Sequence, residues 1–573
     1  MKTIWVIEAS GKKEAFLLSL KEAGFVGDRV LATFGRLYDL PSDRLGFDAS
    51  IISNPELTTE ISWEPKRRDQ VLKLIDLISA ADEVVIATDT DLEGELIASQ
   101  VEGLCQLAHK RSGKDQTISR VLLHSITAQS LKAAYKHRIV VNPNKVRAAK
   151  ARRVLDRLLG FSLHSDSDPW RLSTGRIVTP LVHSLHTHPA EAVVLRKKLD
   201  DGWSAIIRLN TLKAAQAPTL LGMLHGLPRP PILVDRTESL VHEYKPLTGP
   251  EAIKLCMRSL SSSPKDIQRS IQDNYEKGRL SYPRTDSRSL DEIGLKWVSR
   301  MASKEAIEYD DSLAKQRQAE VLERSYDAHH ALIPVGDHVP HSSIPDNYLS
   351  NDEAVLRVIG NHSMHIGEQA EQFTREHGVL DKAHPLGSRW GQVLAAWGNE
   401  LTFVRDIDST GFVQDPLRYE ITRTPDTLQA MVSCWQHPPA QIVMERLMDI
   451  GLGRPSTVLG LAEKTFTTYL DKAGHVNGRG LIMLEKIMSR LPELLSPETA
   501  QAIERAVCDI DSELSIGARL SNAWSILKRN PALLGSGDPV TFKTKVSELQ
   551  NSDAQIPDSA RDSAESNNLF DIY

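Results

Sequence analysis

Residues 83–95 read Glu83-Val84-Val85-Ile86-Ala87-Thr88-Asp89-Thr90-Asp91-Leu92-Glu93-Gly94-Glu95, and this stretch decides the fold class. Residues 83–88 are a short, mostly apolar run, the pattern of a buried strand, and helical spacing takes over from Gly94. A strand, an acidic turn and a helix make one unit of an α/β sheet. The start of the chain repeats the pattern, with a strand over residues 3–8, a turn Ala9-Ser10-Gly11-Lys12 and a helix from about Glu14. In parallel α/β sheets ligands collect at the carboxyl ends of the strands. Glu8 and the set Asp89, Asp91 and Glu93 are therefore expected to face one another across a shared cleft.

The chemistry of these residues narrows what the cleft can do. Alternating carboxylates after a strand turn the first and third to one side, where their oxygens suit a hard divalent cation such as Mg²⁺. Taken alone, the same residues equally suit an acidic turn at a helix N-terminus. Glu8 and Lys12, four residues apart, offer a proton carrier and a counter-charge for phosphate, although a capped surface helix accounts for them as well.

Further along, residues 278–288 read Gly-Arg-Leu-Ser-Tyr282-Pro-Arg284-Thr-Asp-Ser-Arg288. A tyrosyl oxygen with its ordinary pKa near 10 needs a cation beside it to act as a nucleophile. Arg284 and Arg288 are near enough in sequence to serve. Tyr275 reads as a helix residue with a structural role. His329 and His330 are adjacent, and one imidazole can reach a phosphate. Gly451-Leu-Gly453-Arg454-Pro-Ser456-Thr457 precedes a helix and can cradle a phosphate with backbone N–H groups. It lacks the lysine of a nucleotide-hydrolysing loop.

Composition bounds the rest. A chain of 573 residues exceeds one core and implies roughly three to five domains. No apolar run approaches the roughly twenty residues of a membrane span. Glu8 interrupts the start too early for a signal peptide. The cysteines Cys105, Cys256, Cys434 and Cys508 form no CxxC pair, so neither zinc nor a disulfide framework is supported. A cytoplasmic setting without membrane contact is expected. The net charge of −6 argues only weakly against DNA, because residues 145–157 hold six basic residues and one acid. The last forty or so residues are rich in Ser, Asp and Asn and are expected to lack fixed structure.

Read in order, the motifs resemble those of the type IA DNA topoisomerases. Glu8-Ala-Ser-Gly-Lys12 and Asp89-Thr-Asp91-Leu-Glu93-Gly-Glu95 look like the two halves of a Toprim domain. Ala151-Arg-Arg153-Val-Leu-Asp156-Arg157 and Leu172-Ser173-Thr-Gly175-Arg176 look like the family's DNA-binding helical segment. Residues 272–287, Ala328-His329-His330-Ala331 and the 451–457 loop complete the set. Leu92 departs from it, standing where the family usually carries an arginine. No zinc-ribbon cysteines follow Cys508.

The resemblance implies a multidomain α/β, α and β architecture, in which a Toprim α/β domain precedes interrupted helical domains and a strand-rich arch closed into a toroid. The ranges it implies are 1–142 for Toprim, 143–200 with 426–530 for the helical DNA-binding domain, 201–247 with 366–425 for the arch, 248–365 for the tyrosine domain, and 531–573 for an acidic tail. It further implies ATP-independent cleavage of single-stranded DNA through a 5′-phosphotyrosine at Tyr282, followed by strand passage and rejoining, giving relaxation or decatenation. Arg284, Glu8, Lys12 and His329 would serve catalysis. Asp89 and Asp91, with Glu93 and Glu8, would bind Mg²⁺. Arg153, Asp156, Arg157, Ser173, Gly175, Arg176, Arg454, Ser456 and Thr457 would bind DNA. The expected state is a monomer working with a helicase or single-strand-binding protein. Two alternatives stand beside it: a Toprim nuclease or primase-like enzyme with no covalent step, and an inactive DNA-binding ring.

Overall fold

The computed structural model describes residues 2–54, 61–163, 174–199, 202–260, 262–318, 330–381, 387–407, 432–436, 439–453 and 457–527. The expected tail, together with His329, Ser173, Arg454 and Ser456, lies outside the described residues.

The N-terminal region is built on β1 (Thr3–Ile7), β2 (Arg29–Ala32), β3 (Tyr38–Asp39), β4 (Glu64–Pro65), β5 (Glu83–Ile86) and β6 (Thr117–Arg120). Strands β2, β1, β5 and β6, in that order, form a parallel sheet, while β3 and β4 pair separately. Both faces of the sheet are covered, which is why β1 and β5 read as continuous apolar runs rather than alternating ones. Ile4 and Val6 point into a core with Ile78, Val84, Ile86 and Val101. Their neighbours Trp5 and Ile7 point the other way, to Phe16, Leu20 and Val85. Burying each such side chain contributes roughly 1.5–3 kcal/mol. The chain steps from β1 to β2 on one side and reaches β5 on the other. The crevice between the ends of β1 and β5 is thus the switch point where ligands of such sheets bind.

A long helix, Pro143–Leu163, leads away from this sheet. It packs with the helices Pro497–Cys508 and Ile516–Ile526 through Leu155, Leu158, Leu159, Ile503 and Trp524. Six strands then form an antiparallel sheet in the order β12-β7-β8-β11-β10-β9. They are β7 (Glu191–Lys198), β8 (Ser204–Asn210), β9 (Ile232–His242), β10 (Glu371–Leu380), β11 (Leu401–Ile407) and β12 (Val432–Gln436). Between β9 and β10 lie helices that include Gly249–Ser259, Pro264–Glu276 and Asn351–Met364. Their starts are chemically marked: Thr248 and Ser350 make capping boxes with Glu251 and Glu353, and Ser263 caps a helix opened by Pro264.

Two features differ from the sequence expectation. Strands β7 and β12 fall inside ranges expected to be helical, since an apolar run as short as Ala192–Leu195 has no period to separate strand from helix. Conversely, Gly387–Trp397 is a helix within a stretch read as strand-rich. Trp390, Val393, Leu394 and Trp397 recur there at helical spacing.

Candidate active site

Three chain segments meet at the carboxyl edge of the parallel sheet. Glu8 leaves the end of β1 and Lys12 closes the turn Ser10–Lys12 that leads into the helix Lys13–Glu22. The loop after β5 carries Asp89 and Asp91. Asp91 caps the helix Leu92–Ser112, accepting from the Gly94 N–H at 2.8 Å. A Cβ on Gly94 would lie 1.9 Å from the Asp89 carbonyl oxygen, so only glycine permits this tight turn. Thr88 Oγ1 closes it by donating to the Gly94 carbonyl at 2.7 Å.

The third segment brings Tyr282. The Ser281 N–H donates to the Ile333 carbonyl and the Tyr282 N–H to the His124 carbonyl, at 2.9 and 2.8 Å. These bonds aim the ring into the crevice, where its hydroxyl donates to Asp91 Oδ2 at 3.1 Å across 191 residues of sequence. Tyr282 is 2% exposed. Lys12 donates to Asp89 and lies 4.8 Å from the centre of the Tyr275 ring, which in turn packs edge-on against Tyr282 at 5.5 Å.

Burial and crowding decide which of these groups carry charge. Burial, then Asp89 and Asp91, push the Glu8 carboxyl up to about 8, so it holds its proton at neutral pH. Burial also lifts the Tyr282 hydroxyl well above its ordinary value, aided by Asp91 and Asp89 and opposed by Arg284. Burial works against the charges of Lys12 and Arg284. It is outweighed at Lys12 chiefly by Asp89, and at Arg284 by Tyr282, Asp89, Asp91 and Glu8, so both stay firmly protonated. Glu8, Asp89 and Asp91 are hard oxygen donors crowded enough to repel one another, which fits a divalent cation. Among the described residues, no group of three or more His, Cys, Asp or Glu side chains is arranged to hold one, and Asp89 and Asp91 are engaged by Lys12 and Tyr282.

The other expected site residues lie elsewhere. Glu93 pairs with Arg36 at 2.6 Å, and Arg36 also reaches Asp39 at 2.9 Å. Arg153 holds Asp39 at 2.8 Å. Arg157 donates to the carbonyls of Pro41 and Arg44. Arg176 is buried between Asp156, at 2.6 Å, and Glu504. Gly175 and Thr457 sit at the starts of helices, with Gly175 bonded to Thr179 and the Thr457 carbonyl accepting from Leu461.

Two contributors escaped sequence reading, Arg36 and Arg120, and Tyr275 was read only as a structural helix residue. Arg120 ends β6 with no exposure at all. Its guanidinium donates to the carbonyls of Ile86, Thr88, Val121 and Asp89 at 2.6–3.2 Å and to Glu95 at 3.3 Å. It is the clamp that shapes the Asp89 loop. An arginine set directly before the apolar run Val121-Leu122-Leu123 was the available signal.

Comparison with known proteins bears on the domains and the fold. Residues 3–126 match the Toprim domain family and residues 233–381 the DNA topoisomerase family. DNA topoisomerase 1 of Aquifex aeolicus is 25% identical over 538 residues, covering 88% of this chain and 94% of the relative. A plasmid DNA topoisomerase I of Xylella fastidiosa is 30% identical over 182 residues, which is 31% of this chain and 25% of that protein. The chain thus spans nearly all of one relative and a quarter of the other. Full-length topoisomerase I of Thermotoga maritima shares the fold, with a TM-score of 0.61 at 17% identity over 93% of this chain and 90% of that one. A Toprim sheet joined to a topoisomerase domain defines a DNA topoisomerase, an isomerase that carries a metal-binding domain. Together these matches support a type IA DNA topoisomerase.

Proposed function

We propose that this topoisomerase breaks and reseals single-stranded DNA through Tyr282, with no need for ATP. The observation that carries the reading is the Tyr282–Asp91 hydrogen bond, which sets the one tyrosine flanked by Arg284 against the acids of the parallel sheet. In cleavage the Tyr282 oxygen bonds to phosphorus and the bond from phosphorus to the 3′ oxygen breaks. The tyrosyl proton departs toward Asp91, which already accepts that hydroxyl. Glu8, protonated at neutral pH, gives its proton to the leaving 3′ oxygen. Arg284 stabilises the charge that grows on the phosphate. Lys12 steadies Asp89 and is the second cation for the same oxygens. The phosphotyrosine conserves the bond energy, so the free 3′-hydroxyl reverses the step after another strand has passed.

Asp89 and Asp91, with Glu93 and Glu8 at the margin, would hold Mg²⁺, which supplies positive charge for the 3′ end during rejoining. His329 would contact the phosphate. Arg153, Arg157 and Arg176, with Asp156, Gly175 and the 454–457 segment, would line the path of the strand. Because Tyr282 is buried, a phosphodiester reaches it only when the Toprim and tyrosine segments separate. Relaxation of negative supercoils and decatenation are the products we assign, performed by a monomer on DNA with a helicase or single-strand-binding protein as partner. No helix among the described residues is long and apolar enough to cross a membrane.

The test uses a single-stranded oligonucleotide labelled at its 3′ end, mixed with the protein and quenched with detergent. Label is expected on the wild-type protein and none on Tyr282→Phe. Short fragments without protein-bound label, unchanged in Tyr282→Phe, would mean a nuclease instead.

A further inference from the structure

The loop after β2 carries a residue that folding alone does not explain. Phe34 has φ +55°, in the left-handed region that suits glycine and strains a bulky side chain. The residue is 53% exposed, so burial does little to offset the strain. Stability alone would favour Gly or Asn at this position.

The loop is held firmly on both sides of that ring. Gln70 donates to the Thr33 carbonyl at 2.7 Å, and the Leu37 N–H donates to Gln100 at 2.8 Å. Arg36 is tied to Glu93 and Asp39. The Phe34 N–H donates to the carbonyl of Glu8 at 2.8 Å, which puts the residue beside the acid that faces Asp89 and Asp91. An aromatic ring is therefore presented rigidly to solvent at the carboxyl edge of the parallel sheet, next to the cleavage chemistry. A flat apolar face at that place suits an unpaired base, because every base offers a π-face to an aromatic side chain.

We propose that Phe34 is a base-stacking residue, whose ring holds one unpaired base of the DNA strand at a fixed distance from Glu8. This rests on the reading that the site acts on single-stranded DNA. A stack at one position would set which phosphodiester lies in front of Tyr282, so Phe34 fixes the register of cleavage.

The test is a set of single-stranded oligonucleotides carrying 2-aminopurine at successive positions, bound to the full chain in the absence of cleavage products. Emission at one position should be quenched by wild type and by Phe34→Trp, and recovered in Phe34→Ala. Affinity of Phe34→Ala should fall about ten-fold, the scale of one lost base stack. Phe34→Gly should bind as weakly while unfolding at the same temperature as wild type or higher. Equal emission and affinity in wild type and Phe34→Ala would overturn the proposal. So would a lower unfolding temperature for Phe34→Gly, which would make the ring a structural element. Binding is read without cleavage, so the two readings fail separately. If Tyr282 still traps DNA while Phe34→Ala changes nothing, only the stacking is wrong. If wild type binds no single strand, both are.

Discussion

The seam around Tyr282 and the helix Pro143–Leu163 were expected to touch the same DNA, yet their charges are arranged in opposite ways. On the helix and in the segment that holds Arg176 just before the helix Val178–Thr187, every described arginine of the expected DNA path has a protein partner. Arg153 holds Asp39, Arg157 holds two carbonyls of the 41–44 loop, and Arg176 joins Asp156 to Glu504. Burial opposes the Asp156 charge, but Arg176 outweighs it and keeps that carboxyl below its usual range. In the seam the balance tilts the other way, because Glu8 is raised by burial and by its acidic neighbours. The helix is stitched together by ion pairs, while the seam sets two cations against three carboxyls and is balanced only as long as Glu8 keeps its proton. The difference teaches that arginines on a basic helix can hold a fold together first and meet phosphate only by exchanging partners. The seam, by contrast, gains from an incoming cation or phosphate.

The largest expected effect lies on the seam's own clamp. Arg120→Ala would leave Glu95 buried without its cation and several carbonyls without donors, which costs about 3–5 kcal/mol. Urea unfolding should show that loss, and covalent trapping by Tyr282 should fall with it. A loss below about 1 kcal/mol would mean that the Asp89 loop shapes itself without the arginine.

Arg176→Ala tests the other side and should come next in size. Two carboxylates would lose a cation that is 4% exposed, but Asp156 is 40% exposed and water would take over part of its solvation, so about 1–2 kcal/mol of stability should go with it. Single-strand affinity should then track the unfolding midpoint. If stability holds while affinity falls and the salt dependence drops by about one counterion, Arg176 serves phosphate directly. The contrast between helix and seam would then break.

How much of this was legible in the sequence follows the range of each interaction. Strands β1 and β5 were readable because buried parallel strands are continuous apolar runs, and the ends of such strands mark where Glu8, Asp89 and Asp91 emerge. The bonds that make the seam were not. Lys12 meets Asp89 across 77 residues and Tyr282 meets Asp91 across 191, and no local spacing encodes such pairings. Tyr275 read as an ordinary helix residue, and its contact with Lys12 arises only when two distant segments close. Leu92 shows the reverse case. At the position where an arginine was the family expectation, the side chain is buried in a core with Leu40, Leu96 and Leu155. The helix Gly387–Trp397 was misread because a strand-like stretch concealed four apolar residues at helical spacing.

The finest test of the contrast is the proton on Glu8. Its folded carboxyl titrates near 8 against an ordinary value of 4.5, so between those values the folded chain binds a proton that the unfolded chain releases. The stability that this proton contributes is fully present below about pH 4.5 and is lost as pH rises through about 8. Thermal unfolding of the protein in a chelator should therefore show the wild type losing ground to Glu8→Gln as pH climbs from 5 to 9. Added magnesium should reverse that loss most strongly at the alkaline end, where the cation no longer competes with the proton. Single-turnover cleavage should decline over the same rise in pH, since the acid for the 3′ oxygen disappears. If wild type and Glu8→Gln instead run parallel across the range, Lys12 and Arg284 already neutralise the acids. The seam would then be as well stitched as the helix.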